Sequence, residues 1–185
     1  NIGTLDISNV TNAYQMFQSV SNITQDISSF TISNVFNAEQ MFQYGSNIIQ
    51  NIGTFTIMDA SNVRYMFRDV SGLTQDLSSF TISNVSIAQE MFREAHDINQ
   101  NIGTLDISGV NQAKLMFYQA NNITQDISSW SITNITFQAV QMFLEASNIT
   151  QDISSWNISR VSQLGNMFEL VNGLTQNIDS FIISD

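Results

Sequence analysis

The chain has 185 residues, 43% of them apolar and only 11% charged, with sixteen acidic against five basic side chains and a formal net charge of -11. Its apolar content is that of a folded protein rather than a disordered one, and its acidity excludes a nucleic-acid binder, which needs a basic patch to displace counterions from phosphate. Anionic membrane surfaces are disfavoured for the same reason, no apolar run reaches the roughly 20 residues that span a bilayer, and the absence of cysteine removes disulfides and thiolate chemistry.

No signal-peptide pattern opens the chain, which begins in mid-pattern and reads as a mature or truncated segment. A 25-residue period runs through it, in copies that start near Asn1, Asp26, Asn51, Asp76, Asn101, Asp126, Asp152 and Asn177, with one extra residue in the sixth copy between Phe137 and Val140. Self-similarity at such a period marks a repeat architecture. Each of seven Met-Phe pairs places its ring in one column, Phe17, Phe42, Phe67, Phe92, Phe117, Phe143 and Phe168. A second strict column holds Gln25, Gln50, Gln75, Gln100, Gln125, Gln151 and Gln176.

Within the first copy, period two at Leu5-Asp6-Ile7 predicts a short strand, with a corner at Gly3-Thr4 or, in the next copy, Ser28-Ser29. Ser8 and Asn9 then stand where side-chain oxygens cap a helix. Ala13, Met16, Phe17 and Val20 follow the i, i+3, i+4, i+7 spacing of a helical face. Only about two turns fit, so such a helix depends on packing. Around Ile23-Thr24-Gln25-Asp26-Ile27 the period returns to two, a second short strand.

The predicted fold is therefore an α/β repeat solenoid of about 7.5 coils of 25 residues, one domain over 1–185, each coil carrying short strands on one side and a helical turn on the other. Stacking at about 4.8 Å per coil buries a core that a single coil cannot. The Phe17 column, and a second one through Leu5, Phe30, Phe55, Phe80, Leu105, Trp130, Trp156 and Phe181, become aromatic-rich stacks. Asn-Ile-Gly-Thr opens copies one, three and five, and Asp-(Ile/Leu)-Ser-Ser opens copies two, four, six and seven. That alternation separates like carboxylates on neighbouring coils, except at Asp126 and Asp152.

The run Ile-Thr-Gln-Asp-Ile-Ser-Ser-(Phe/Trp)-x-Ile-Ser-Asn-Val, with the Met-Phe that follows it, resembles the 25-residue repeats of BspA-like leucine-rich-repeat surface proteins over the whole chain. The resemblance implies a leucine-rich-repeat-like solenoid on secreted or cell-surface proteins, associated with adhesion, and no catalytic residues. The chain departs from that pattern with Ile7, Ile32 and Ile57 at usually polar positions, and with Ala13, Ala38 and Ala88 where Met is common.

Each candidate site has a plainer structural reading. The Gln column is read as a ladder of amides bonding from coil to coil. His96, the only histidine, has no distinct nucleophile beside it and reads as a surface residue rather than a base. Asp126 and Asp152 suggest weak calcium binding, without the Asp-rich loop of a known calcium motif. Arg64, Arg68 and Arg93, with Lys114, form a candidate partner-docking patch on copies three to five; Asp69, Glu90 and Glu94 between them favour local ion pairs. Asn9, Asn22, Asn84, Asn122, Asn134, Asn148 and Asn157 open Asn-x-Ser/Thr triplets, which matter only in an exported, glycosylating setting. Thr24, Thr74, Thr124, Thr150 and Thr175 suggest a flat ice-binding row that Ile49 and Asn99 interrupt.

No cofactor, no resident metal and no catalytic residue is expected. The expected function is that of a non-enzymatic, extracellular or surface module, or a phage-fibre segment, acting in adhesion or recognition. Its partner is a protein or a surface glycan. The alternative is a self-assembling filament subunit that pairs with itself through open solenoid ends and strand edges.

Overall fold

The computed structural model describes residues 6–23, 34–48, 59–73, 77, 80–98, 102–136 and 138–174. Among them there is no α-helix, and pairing is confined to isolated parallel bridges. The expected α/β solenoid of strands and helical turns is therefore corrected: the described part of each copy is a chain of tight turns.

The reason lies in residues 13–20, where a helix was expected. The N–H groups of Ala13, Gln15, Phe17 and Ser19 leave their own segment and donate to the carbonyls of Asn37, Glu39, Met41 and Gln43 in the next copy, at 2.8 to 3.1 Å. The alternate N–H groups of Met16, Gln18 and Val20 turn back onto the carbonyls three residues earlier. Gln15 and Ser19 have φ of 57°, placing a left-handed residue third in the turns 13–16 and 17–20, the type II arrangement. The same pair of positions is left-handed in every later copy: Gln40 and Tyr44, Tyr65 and Asp69, Glu90 and Glu94, Leu115 and Gln119, Gln141 and Glu145, Asn166 and Leu170. A two-turn helix would leave most of its N–H and C=O groups without an internal partner. The stack instead gives alternate N–H groups a carbonyl on the neighbouring copy, which offsets the roughly 1 to 3 kcal/mol that each non-glycine left-handed residue costs.

The expected strands fare no better. Where both regions are described, at 105–107 and 123–127, no strand forms. Further turns close there, with Leu105 N–H donating to Ile102 O and Val110 N–H to Ile107 O at 2.9 and 3.0 Å. The corners expected at Gly3-Thr4 and Ser28-Ser29 lie outside the described residues. Parallel bridges link Asn12, Asn37, Asn62, Ile87, Gln112 and Gln138 in sequence, and Ser21, Ser46 and Ser71 likewise.

Successive copies therefore sit one above the next in 25-residue register. Rings at Phe17, Phe42, Phe67, Phe92, Phe117, Phe143 and Phe168 stack with centroids 5.3 to 5.6 Å apart and planes within 13° of parallel. In the second column Trp130 and Trp156 stack at 6.3 Å, and their indole N–H groups donate to Ile102 O and Ile127 O, so neither polar end is left unpaired. The methionines beside the Phe stack, Met41, Met66, Met91, Met116 and Met142, are fully buried. The extra residue of copy six falls between Thr136 and Gln138: Ser162 N–H still reaches Thr136 O, while Ala113 N–H reaches Gln138 O, one residue further on than in the preceding copies.

Candidate interaction surface

With 13, 16, 17 and 20 turned inward, positions 14, 15, 18 and 19 of each copy form a continuous outer face. Its side chains are exposed or half-buried in every copy except for Gln43. The inward columns barely vary, whereas the outer ones do. Position 14 reads Tyr14, Glu39, Arg64, Gln89, Lys114, Val140 and Gly165, with no residue type used twice.

Chemistry changes along this face. In the first two copies it is amide-rich, with Gln15 Nε2 donating to Gln40 Oε1 at 2.6 Å and Gln18 Nε2 to Gln43 Oε1 at 2.8 Å. Copies three to five carry charge. Glu90 accepts from both Arg68 and Arg93 at 3.1 Å, Arg68 also pairs with Asp69 at 3.0 Å, and Arg93 with Glu94 at 3.0 Å. Burial, with the Glu94 carboxyl beside it, pushes Asp69 above the usual carboxylate range despite Arg68. Burial also works against the Glu94 charge, but a hydrogen bond from Asp69 and the Arg93 and Arg68 guanidiniums outweigh it and hold that carboxyl low. The two neighbouring carboxyls are thereby pushed in opposite directions, Asp69 up and Glu94 down.

Of the four basic residues of the candidate docking patch, Arg68 and Arg93 are committed to these ion pairs. Arg64 lies over the Tyr65 ring at 4.6 Å, with its Nε buried and unbonded among the described residues. Lys114 is exposed. The patch is therefore two internal ion-pair centres flanked by two cations that make no ion pair among the described residues.

Only two members of the strict Gln column, Gln125 and Gln151, are described, and these two make no amide-to-amide bond. Gln25, Gln50, Gln75, Gln100 and Gln176 lie outside the described residues. Gln125 Nε2 reaches only Thr124 Oγ1 at 3.5 Å, and Gln151 Nε2 donates to Ile123 O at 3.4 Å. The Oε1 of each is buried without a partner among the described residues. Amide-to-amide bonding occurs at other positions, among them Gln15–Gln40, Gln18–Gln43, Asn22–Asn47 and Gln89–Gln112.

His96 Nδ1 lies 3.0 Å from Gln119 O, and the His96 carbonyl accepts from Asn122 Nδ2. Asp126 and Asp152 do not turn toward a shared ion: each accepts the N–H of the serine two residues on, Ser128 or Ser154, at 2.9 Å. Those serine hydroxyls and N–H groups hold both carboxyls below their ordinary pKa, as Ser8 does for Asp6 and Ser108 for Asp106. Among the described residues no three His, Asp or Glu side chains gather as metal ligands, and no helix is long and apolar enough to cross a membrane. Two triplet asparagines keep exposed side chains, Asn148 donating to Asn121 O on the neighbouring copy and Asn157 accepting from Ser159 N–H in a local turn. Of the threonine row, Thr24, Thr74 and Thr175 lie outside the described residues.

No curated protein and no solved structure matches the chain. A family model described as Mycoplasma protein of unknown function, DUF285, matches residues 1–103 and, in a second overlapping span, 62–181. With an invariant Met-Phe interior, repeats stacked in 25-residue register and nearly the whole length matched, the chain belongs to that DUF285 family.

Proposed function

We propose that this chain is a non-enzymatic recognition module of an exported or surface protein, and that its variable outer face meets a protein or surface-glycan partner. One observation carries the reading: position 14 changes in all seven copies while the Met-Phe pair behind it never does. A purely structural rod gains nothing from seven different residues at equivalent positions of its outer face. A binding surface that contacts different parts of one partner does. The motif likeness to BspA-like surface repeats supports the same reading, without the helices and strands that the likeness also implied.

The test uses the purified chain on arrays of extracellular-matrix proteins and of glycans, beside a variant in which positions 14, 15, 18 and 19 of every copy carry the first copy's residues. The expected result is retention of the natural chain and loss of retention in a variant that melts at a similar temperature. Equal binding by both, or no binding by the natural chain, would overturn the reading. Electron microscopy of the same samples separates it from the filament alternative, which requires ordered polymers.

A further inference from the structure

The first two copies stand apart from the rest of the outer face. No basic residue precedes Arg64 in the chain. Of the four large apolar side chains most open to solvent among the described residues, three belong to these two copies, and all three are aromatic: Tyr14 at 48%, Phe36 at 52% and Tyr44 at 49% exposed. Tyr14 and Tyr44 stand at positions 14 and 19 of the outer face, and exposed aromatic side chains on one face mark a contact site. The comparison within the molecule sharpens this. Tyr65 and Tyr118, in copies three and five, lie under the guanidiniums of Arg64 and Arg93 at 4.6 and 4.9 Å. Tyr14 and Tyr44 lie under none among the described residues.

Between these rings stand uncharged amides. The Gln15–Gln40 bond uses one donor and one acceptor, and each amide has both kinds of group to spare. Glu39, the one acid of the pair of turns, accepts from Asn62 Nδ2 at 3.0 Å. A cationic partner would meet a single carboxylate here, and an anionic partner would meet no cation within these two copies. A neutral sugar suits both features, because its C–H faces pack on aromatic rings and its hydroxyls both donate to and accept from amides.

We propose that the outer face of the first two copies binds an uncharged saccharide, with Tyr14 and Tyr44 against the sugar faces and the Gln15–Gln40 pair bonding its hydroxyls. This rests on the recognition reading and narrows its partner. The experiment presents the whole chain with uncharged oligomers of N-acetylglucosamine, galactose and mannose, beside sialylated and sulfated glycans and matrix proteins. It is run at about 0.15 M and about 1 M salt, where charge-driven contacts are screened. The expected result is retention on an uncharged oligomer that salt does not weaken. Tyr14→Ala and Tyr44→Ala should each weaken it about tenfold, and Tyr44→Phe should keep it. Thermal melting of each variant checks that the fold is intact.

Retention confined to acidic glycans, retention that salt abolishes, or indifference to both tyrosine variants would overturn the proposal. Binding to matrix proteins alone would also overturn it while leaving the recognition reading in place. Binding to nothing would remove both.

Discussion

Gln141 has a φ of 58° in the middle of the stack, a conformation that costs least for Gly, Asn and Asp and most for β-branched residues. Gln141→Val is expected to lower stability by about 1 to 2 kcal/mol and Gln141→Asn to change it by under about 0.5 kcal/mol. Urea denaturation of the two variants checks this; equal losses would mean that the left-handed turn does not govern the position. The Asp-x-Ser turns act at the same scale. Serine hydroxyls and N–H groups hold Asp106, Asp126 and Asp152 below their ordinary pKa, so their contribution is complete above an unfolded value of about 3.9 and is lost as pH falls through the lower folded value. Their share of the urea midpoint should be flat from about pH 7 to about pH 5 and fall below about pH 4. Asn157 already holds Ser159 N–H at 3.0 Å without a titrating group. A chain with Asp126→Asn and Asp152→Asn should therefore match the natural one near neutrality and decline less steeply in acid, as circular dichroism across the pH range would show. The Asp69–Glu94 pair is the same in both chains and drops out of the comparison.

At the scale of the element, the turns and the ring stack depend on each other. Phe92 is fully buried between Phe67 and Phe117, 5.5 and 5.4 Å away. Its N–H donates to Met116 O, and its carbonyl accepts from Ala95 N–H. The side chain fills the core where the backbone locks two copies together. Phe92→Ala is expected to cost about 3 to 5 kcal/mol, and Phe92→Leu distinctly less. A calorimetric or urea-based loss below about 1 kcal/mol for the alanine variant would mean that the stack collapses around the gap. Gly109 shows how close the copies come: a Cβ there would lie 2.1 Å from Ser83 O. In the first and second copies that gap is bridged by a side chain, Asn34 Nδ2 donating to Ser8 O at 2.6 Å.

For the whole molecule, each copy bonds to its neighbours through one repeated register, so stability is close to a sum of copies and the contacts between them. Removing residues 101–125, one full copy, is expected to leave a folded chain with a lower melting temperature and an unbroken ring stack. Removing 20 residues from the same place shifts every donor away from its carbonyl and should abolish cooperative melting. Calorimetry on the two deletions distinguishes them, and similar melting of both would show that the register does not hold the stack together.

The 25-residue period, the membership of each column and the constancy of the interior were legible in the amino acids, because apolar residues that must meet their own copies recur at a fixed spacing. The kind of turn was not. Ala13, Met16, Phe17 and Val20 satisfy the spacing of a short helix and that of two successive type II turns equally well, and both put the same four side chains inward. The choice fell to the hydrogen bonds of Gln15 and Ser19, whose N–H groups find carbonyls on another copy, partners that no local reading contains. The candidate surface divides in the same way. The four basic residues of copies three to five stood out in the sequence, but only the stack showed that Glu90 ties up Arg68 and Arg93 together, while Tyr14, Phe36 and Tyr44 stay open to solvent. Spacing along a chain determines which residues face the same way; which of them are already satisfied depends on neighbours that only the tertiary fold supplies.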